Sequence, residues 1–216
     1  MLYRLLSKQA KLYGDRVAIV GEGRSLTFKQ LWDESAVTAA YFQARGCKLG
    51  DPIVLGLPPS PEFYVVFYAA AALGMIVLPV LPSGRIPDLI VAKKPRWAVG
   101  NERFLQHARA HCGSLRLTLV WEPKRGLMGT DAGSRFRRKK TFRTECVIGV
   151  SSSGSTGTPT IYFRSQDLLV RRAEFRAKSL GITPEDVLLS ARPFNSGSSI
   201  NSHVVMPMVA GCRIVV

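Results

Sequence analysis

Gly149-Val150-Ser151-Ser152-Ser153-Gly154-Ser155-Thr156-Gly157-Thr158-Pro159-Thr160-Ile161-Tyr162-Phe163-Arg164-Ser165 is a run of small hydroxylated residues and glycines set between two β-prone segments. Cys146 to Val150 enters it and Ile161 to Phe163 leaves it. Glycine admits positive φ and lets the backbone approach a ligand closely. Successive N–H groups in such a turn form a concave anion site, to which the hydroxyls of Ser153, Ser155, Thr156 and Thr158 add donors. The chemistry indicated is a grip on the phosphates of a nucleotide. A flexible, ligand-free Ser/Gly loop has the same composition, so other features must separate the two readings.

Commoner loops do not account for the stretch. A Walker A loop needs Gly, four residues, then Gly-Lys-Ser/Thr; Gly149 and Gly154 have the spacing, but Ser155 stands in place of the lysine. Gly21-Glu22-Gly23 fails as a dinucleotide fingerprint at Leu26. No Gly-x-Ser-x-Gly nucleophile elbow is present.

Outward from the loop, the pattern alternates. Leu2 to Leu12 carries leucines at helical spacing, and Val17 to Val20 with Ser25 to Phe28 flank a glycine turn as a hairpin. Thr27 can cap a helix from Phe28 to Arg45 that Gly46 closes. Ile53 to Leu57 suits a strand buried on both faces. Pro61 starts a helix to Leu73, and Met75 to Leu78 is a strand. Phe63 to Leu81 holds no charge over nineteen residues, close to membrane-span length, but Gly74 and Pro79 divide it into a buried helix and a buried strand. A short helix (Ile86 to Lys93), a strand (Arg96 to Val99), a helix (Glu102 to His111) and a strand (Leu115 to Val120) come next. After the loop come an amphipathic basic helix from Gln166 to Leu180, a strand at Val187 to Leu189, a helix from Ser202 to Val209 and a strand over Gly211 to Val216. This rhythm predicts an α/β fold, a mostly parallel sheet layered with helices on both faces.

Composition agrees with a globular core: 46% of the 216 residues are hydrophobic and 21% charged. Cys47, Cys112, Cys146 and Cys212 form no CxxC pair, which points to reduced buried thiols in the cytoplasm and away from metal ligation. The net charge of +15 favours anionic partners. Eight cations crowd Lys124 to Arg143 among glycines, as in an exposed basic loop. RNA binding is the alternative for that loop, without an aromatic platform or nucleic-acid motif behind it. Met1 to Lys11 has no signal-peptide pattern.

Ser152-Ser153-Gly154-Ser155-Thr156-Gly157-Thr158-Pro159 resembles the signature loop of the adenylate-forming enzymes, the superfamily of acyl-CoA synthetases, luciferases and adenylation domains. The resemblance extends in register through Gly14-Asp15-Arg16-Val17-Ala18, Leu26-Thr27-Phe28, Leu49-Gly50-Asp51-Pro52 and Ser60-Pro61-Glu62-Phe63. It implies that Ser152, Ser153, Gly154, Ser155, Thr156, Gly157, Thr158 and Thr160 close over the β- and γ-phosphates of ATP. Many members carry lysine where Thr160 stands; the phenylacetate-CoA ligase branch resembles this chain there. Pro193 to Gly197 resembles a Pro-x-Phe-His-x-x-Gly segment lining the acyl pocket, making Phe194 and Asn195 acyl-pocket candidates, with Asn195 in the histidine's place. His203, eight residues on, reads as structural.

The family's magnesium-holding Thr-Glu pair, its ribose-binding Asp and the C-terminal domain with the acyl-adenylate lysine have no counterpart in residues 1–216, so neither catalytic residues nor metal ligands are assigned. The resemblance implies an incomplete N-terminal AMP-binding domain: a first αβ segment (1–121), a basic loop (122–144) and a phosphate-loop segment (145–216). The readings are the N-terminal portion of an ATP-dependent carboxylate ligase, inactive alone; half of a split adenylating enzyme with a complementary chain; a catalytically dead nucleotide-binding module; or, from charge alone, a basic nucleic-acid-binding protein. The ligase reading carries ATP, magnesium, a small carboxylic acid, and coenzyme A or the phosphopantetheine of an acidic carrier protein as acceptor. A final strand over Gly211 to Val216 is expected to leave an unpaired sheet edge.

Overall fold

The structure, a computed structural model, describes residues 1–21, 23–82, 86–122, 126–127, 146–151 and 160–216. Residues 152–159 of the signature loop, and 123–125 and 128–144 of the basic loop, lie outside them. Helix α1 (Leu2–Leu12) buries Leu2, Tyr3, Leu6 and Gln9 on one face. Strands β1 (Val17–Gly21) and β2 (Arg24–Thr27) pair antiparallel as the predicted hairpin. Helix α2 (Phe28–Ala44) starts at a capping box: the Gln30 N–H donates to Thr27 Oγ1 at 3.1 Å, and the Thr27 N–H donates to Gln30 Oε1 at 2.8 Å. Two orphan donors of the first turn are satisfied that way.

Five parallel strands then build the larger sheet. Strands β3 (Pro52–Gly56), β4 (Ile76–Pro79), β5 (Trp97–Gly100), β6 (Leu117–Glu122) and β8 (Cys146–Ser151) run parallel, while β7 (Gly126–Leu127) and β9 (Ile161–Ser165) cap the two ends antiparallel. The order is β7-β6-β5-β3-β4-β8-β9. On one face, helices α4 (Asp88–Val91) and α5 (Glu102–His111) cover Val54, Leu78 and Ala98. The ring of Phe104 lies so close to Gly56 and Gly100, paired across β3 and β5, that a Cβ at either would sit 2.5 or 2.3 Å from it.

The single sheet expected from the alternation is in fact two. Strands β10 (Val187–Leu189) and β11 (Arg213–Val215) join the first hairpin in a second sheet, ordered β10-β11-β1-β2. Of the nine strand pairings among the described residues, six are parallel, so the mostly parallel character holds. Strand β11 is not the open edge that was expected. It lies between β1 and β10, with Ile214 opposite both Ile19 and Leu188. Alternation fixes which segments are strands but not which strand each one pairs with.

Helix α3 (Pro61–Leu73) joins the two sheets. Every residue in it is buried, and it touches strands β1, β2 and β4 as well as α1 and α2. Ser60 caps its start, and Gly74 ends it in the left-handed conformation at φ 69°, turning the chain into β4. The uncharged stretch is thus a core helix followed by a strand, and no helix among the described residues is long and apolar enough to cross a membrane. The buried Glu62 in its first turn accepts from Arg24 Nη1 at 3.2 Å.

The helix expected over Ser202 to Val209 is present but starts earlier and is not regular: α7 (Gly197–Ser199) leads into a π-helical turn (Ile200–Val205) and then α8 (Met206–Ala210). Pro207 has no N–H to give the carbonyl of His203 four residues back. Tyr64 Oη donates to that carbonyl at 2.6 Å, and Tyr68 Oη donates to the Val204 carbonyl at 3.1 Å. Burial pushes both phenol pKa values well above 10.0, so both stay protonated donors. The thiols of Cys47, Cys112 and Cys212 are buried and free, as expected.

Tyr64→Phe leaves the His203 carbonyl without its donor and is expected to lower the unfolding free energy by about 1–3 kcal/mol. Guanidinium titration monitored by tryptophan fluorescence measures this; an unchanged midpoint contradicts the role assigned to Tyr64.

Candidate functional site

Strands β8 and β9 carry the signature loop. Their register closes at Ser151 opposite Ile161, so the loop leaves and re-enters at the carboxyl end of a parallel strand. In open α/β sheets ligands bind outside the carboxyl ends of the strands. Ser152, Ser153, Gly154, Ser155, Thr156, Gly157 and Thr158 lie outside the described residues; Thr160 is exposed just ahead of β9.

The helix after the hairpin is pinned firmly. Helix α6 (Gln166–Ser179) begins where β9 ends, with Ser165 Oγ accepting the Leu168 N–H at 3.2 Å. Gln166, fully buried, accepts the Leu2 N–H at 3.0 Å and donates to the Ala71 carbonyl at 3.0 Å. One amide therefore ties the start of α6 to α1 and to the end of α3.

Between the hairpin, α6 and the π-helical turn lies a cavity of about 700 Å³. Val150 and Tyr162 reach it from the hairpin, Leu169 and Phe175 from α6, and Asn201 from the π turn. Asn201 Nδ2 donates to the Leu169 carbonyl at 2.7 Å, which fixes that wall. Arg164, Arg171, Arg172 and Arg176 also line it. Leu169, Arg172 and Arg176 are three and four residues apart, hence on one helical face. Arg171 is paired with Asp167 at 2.7 Å. Arg164 lies over the Tyr162 ring, 5.7 Å from its centroid. The cavity joins an apolar floor to a cationic rim, a combination suited to an anion carrying an apolar body.

Among the acyl-pocket candidates, Phe194 is buried. Its ring meets Phe63 edge-on at 4.9 Å and Tyr64 at 5.7 Å, and stacks on His203 at 6.4 Å. Asn195 is half-buried beside it. Neither lines the 700 Å³ cavity, whereas Gly197 and Ser198 of the same segment do. Tyr162, Arg164, Arg172, Arg176 and Asn201 were not singled out by sequence; the one signal toward them is the basic, amphipathic character of α6.

His203 faces a conflict of environments. Burial lowers its pKa from the ordinary 6.5, and the positive charges of Arg192 and Arg176 lower it further, against the Ser199 backbone. The Ser199 backbone favours the protonated ring, although the buried Nδ1 makes no well-formed hydrogen bond among the described residues.

Residues 6–216 match the sequence model of the AMP-binding enzyme family. The D-alanine--D-alanyl carrier protein ligase of Bacillus licheniformis is 26% identical over 206 residues, covering 92% of this chain and 39% of that protein. The 2,3-dihydroxybenzoate-AMP ligase of Bacillus subtilis is 34% identical over 85 residues, 39% of this chain and 16% of the relative. Apo MatB from Rhodopseudomonas palustris superimposes on the whole chain with a TM-score of 0.85 at 20% identity, over 45% of its own length. The N-terminal domain of FACL13 from Mycobacterium tuberculosis superimposes with a TM-score of 0.86 at 18% identity, covering 99% of this chain and 56% of its own. The chain thus spans less than two thirds of the length of each of these relatives.

A folded-state pKa below the unfolded value means the unfolded chain binds the extra proton first. Stability is therefore expected to be full above pH 6.5 and to fall as pH drops through the lowered His203 pKa. NMR titration of the imidazole checks this, with a midpoint below 6.5; a midpoint at or above that value contradicts it.

Proposed function

The chain belongs to the AMP-binding enzyme family, and from that premise we propose that it forms the nucleotide-phosphate-binding portion of an ATP-dependent carboxylate ligase. The observation that carries this reading is where the two strands flanking the Ser/Gly loop end. Its ends sit at the carboxyl end of β8, beside a cavity whose rim holds four arginines. Backbone N–H groups and hydroxyls from Ser152 to Thr158, with Thr160, would hold the β- and γ-phosphates. Arg164, Arg172 and Arg176 would add positive charge alongside.

In the proposed reaction a carboxylate oxygen of the acid attacks the α-phosphorus of ATP. The bond to the β-phosphate oxygen breaks, and pyrophosphate leaves with the electron pair. A thiolate of coenzyme A or of a carrier protein's phosphopantetheine then attacks the acyl carbon, and AMP departs. Positioning and charge neutralisation carry most of such a transfer, and this chain's share is the hold on the leaving pyrophosphate. Magnesium arriving with the nucleotide would supply further charge neutralisation. Among the described residues no three His, Cys, Asp or Glu side chains converge to hold a metal by themselves. The 216-residue chain by itself is proposed to bind ATP weakly and to turn over nothing.

Calorimetric titration with ATP and magnesium tests the reading. Gly154→Asp or Gly157→Asp puts a carboxylate against the phosphates and is expected to lower affinity by at least about tenfold. Equal affinity of variant and parent overturns the phosphate role of the loop, and rapid pyrophosphate release by the isolated chain overturns its inactivity. Steeply salt-dependent oligonucleotide binding that ATP does not compete would favour the nucleic-acid reading instead.

A further inference from the structure

We infer that the chain carries a second anion site at the opposite end of the larger sheet, one that takes the diphosphate group of a small ligand. The loop departs from the carboxyl end of β8, whereas this site lies at the amino ends of the parallel strands. It is a cavity of about 440 Å³ into which Arg45, Lys48, Arg96 and Arg116 converge. They come from three separate stretches: the turn after α2, the residue before β5 and the residue before β6. A run of charge along one segment is commonly a solvated face. Cations brought together by three different connections in one concavity are a feature of the fold.

Two of these side chains are held in place. The Arg45 guanidinium lies over the Tyr41 ring at 3.5 Å from its centroid, and Arg96 Nη1 is 3.4 Å from Asp51 Oδ1. Asp51, itself buried, commits its other oxygen to the Lys48 N–H at 3.0 Å and to the Trp97 indole N–H at 3.1 Å. Asp51 therefore offsets Arg96, while Arg45, Lys48 and Arg116 still face the same space. Like charges crowded into a concavity with a protein wall focus a positive potential and concentrate counter-ions. Arginine forks match phosphate oxygens two at a time. A cavity of this volume, with three cations that no carboxylate among the described residues pairs, suits a multiply charged diphosphate better than a single carboxylate. Free pyrophosphate and a nucleoside diphosphate both present that group.

The test is independent of the loop. With Gly154→Asp and Gly157→Asp both in place, inorganic pyrophosphate and ADP are titrated in turn while the Trp97 indole N–H resonance is followed. A saturable shift of that resonance is expected with at least one of the two, and which one binds identifies the source of the diphosphate. Arg45→Gln together with Arg116→Gln is expected to weaken the binding by at least about tenfold; Lys48→Gln with Arg116→Gln, which leaves the Tyr41 stack intact, is expected to do the same. The inference is overturned if neither anion shifts the indole, if both pairs of substitutions leave the affinity unchanged, or if only a long oligonucleotide binds. A parent chain that binds no ATP at the loop, with this titration intact, would sink the ligase reading alone, and the reverse outcome would sink this site alone.

Discussion

A proline without a proton and a phenol without water define the centre of this molecule. Pro207 cannot bond the His203 carbonyl, so the helix there widens into a π turn. The hydroxyl of Tyr64 donates to that carbonyl and Tyr68 donates to the next. A buried carbonyl left open would cost about 1–3 kcal/mol, and a buried phenol would cost similarly without a partner. Each group answers the other's need. The consequence reaches the candidate site, because the same turn sets Asn201 in the cavity wall and stacks His203 on Phe194.

Helix α3 makes the arrangement possible. With no solvated face it has no polar stripe, and its two tyrosines carry the hydrogen-bonding groups that reach out of it to the π turn. It packs against strands of both sheets, so the phosphate-loop segment and the first hairpin share one core. Gln166 repeats the principle at the other end of the layer, where one buried amide satisfies main-chain groups of α1 and α3 and fixes the start of α6. The strands that flank the loop are thus backed by packed and hydrogen-bonded neighbours, as a phosphate grip requires if its donors are to be preorganised.

Much of this was legible in the sequence, and for local reasons. Thr27, Pro61 and Gly74 are short-range signals that act within a turn of the chain, and the elements they bound lie where the pattern put them. The family likeness was legible too, since the loop and the opening segments occur in order. The division into two sheets was not, because pairing β11 with β1 depends on contacts nearly two hundred residues apart in sequence. Nor was the π turn, since Pro207 signals only the loss of a bond while Tyr64 supplies the replacement from another helix. The cationic rim was half visible: α6 reads as basic, but which of its arginines turn toward Tyr162 is decided by how Gln166 anchors it.

The central claim is that the Ser/Gly loop grasps a polyphosphate. Backbone amide resonances of the full chain, followed during titration with ATP and magnesium, address it most directly. The account predicts that the Gly154 and Gly157 amides and their neighbours shift together and saturate, with Arg164, Arg172 and Arg176 side-chain signals moving in step. Saturation of signals elsewhere with the loop amides unmoved would contradict it.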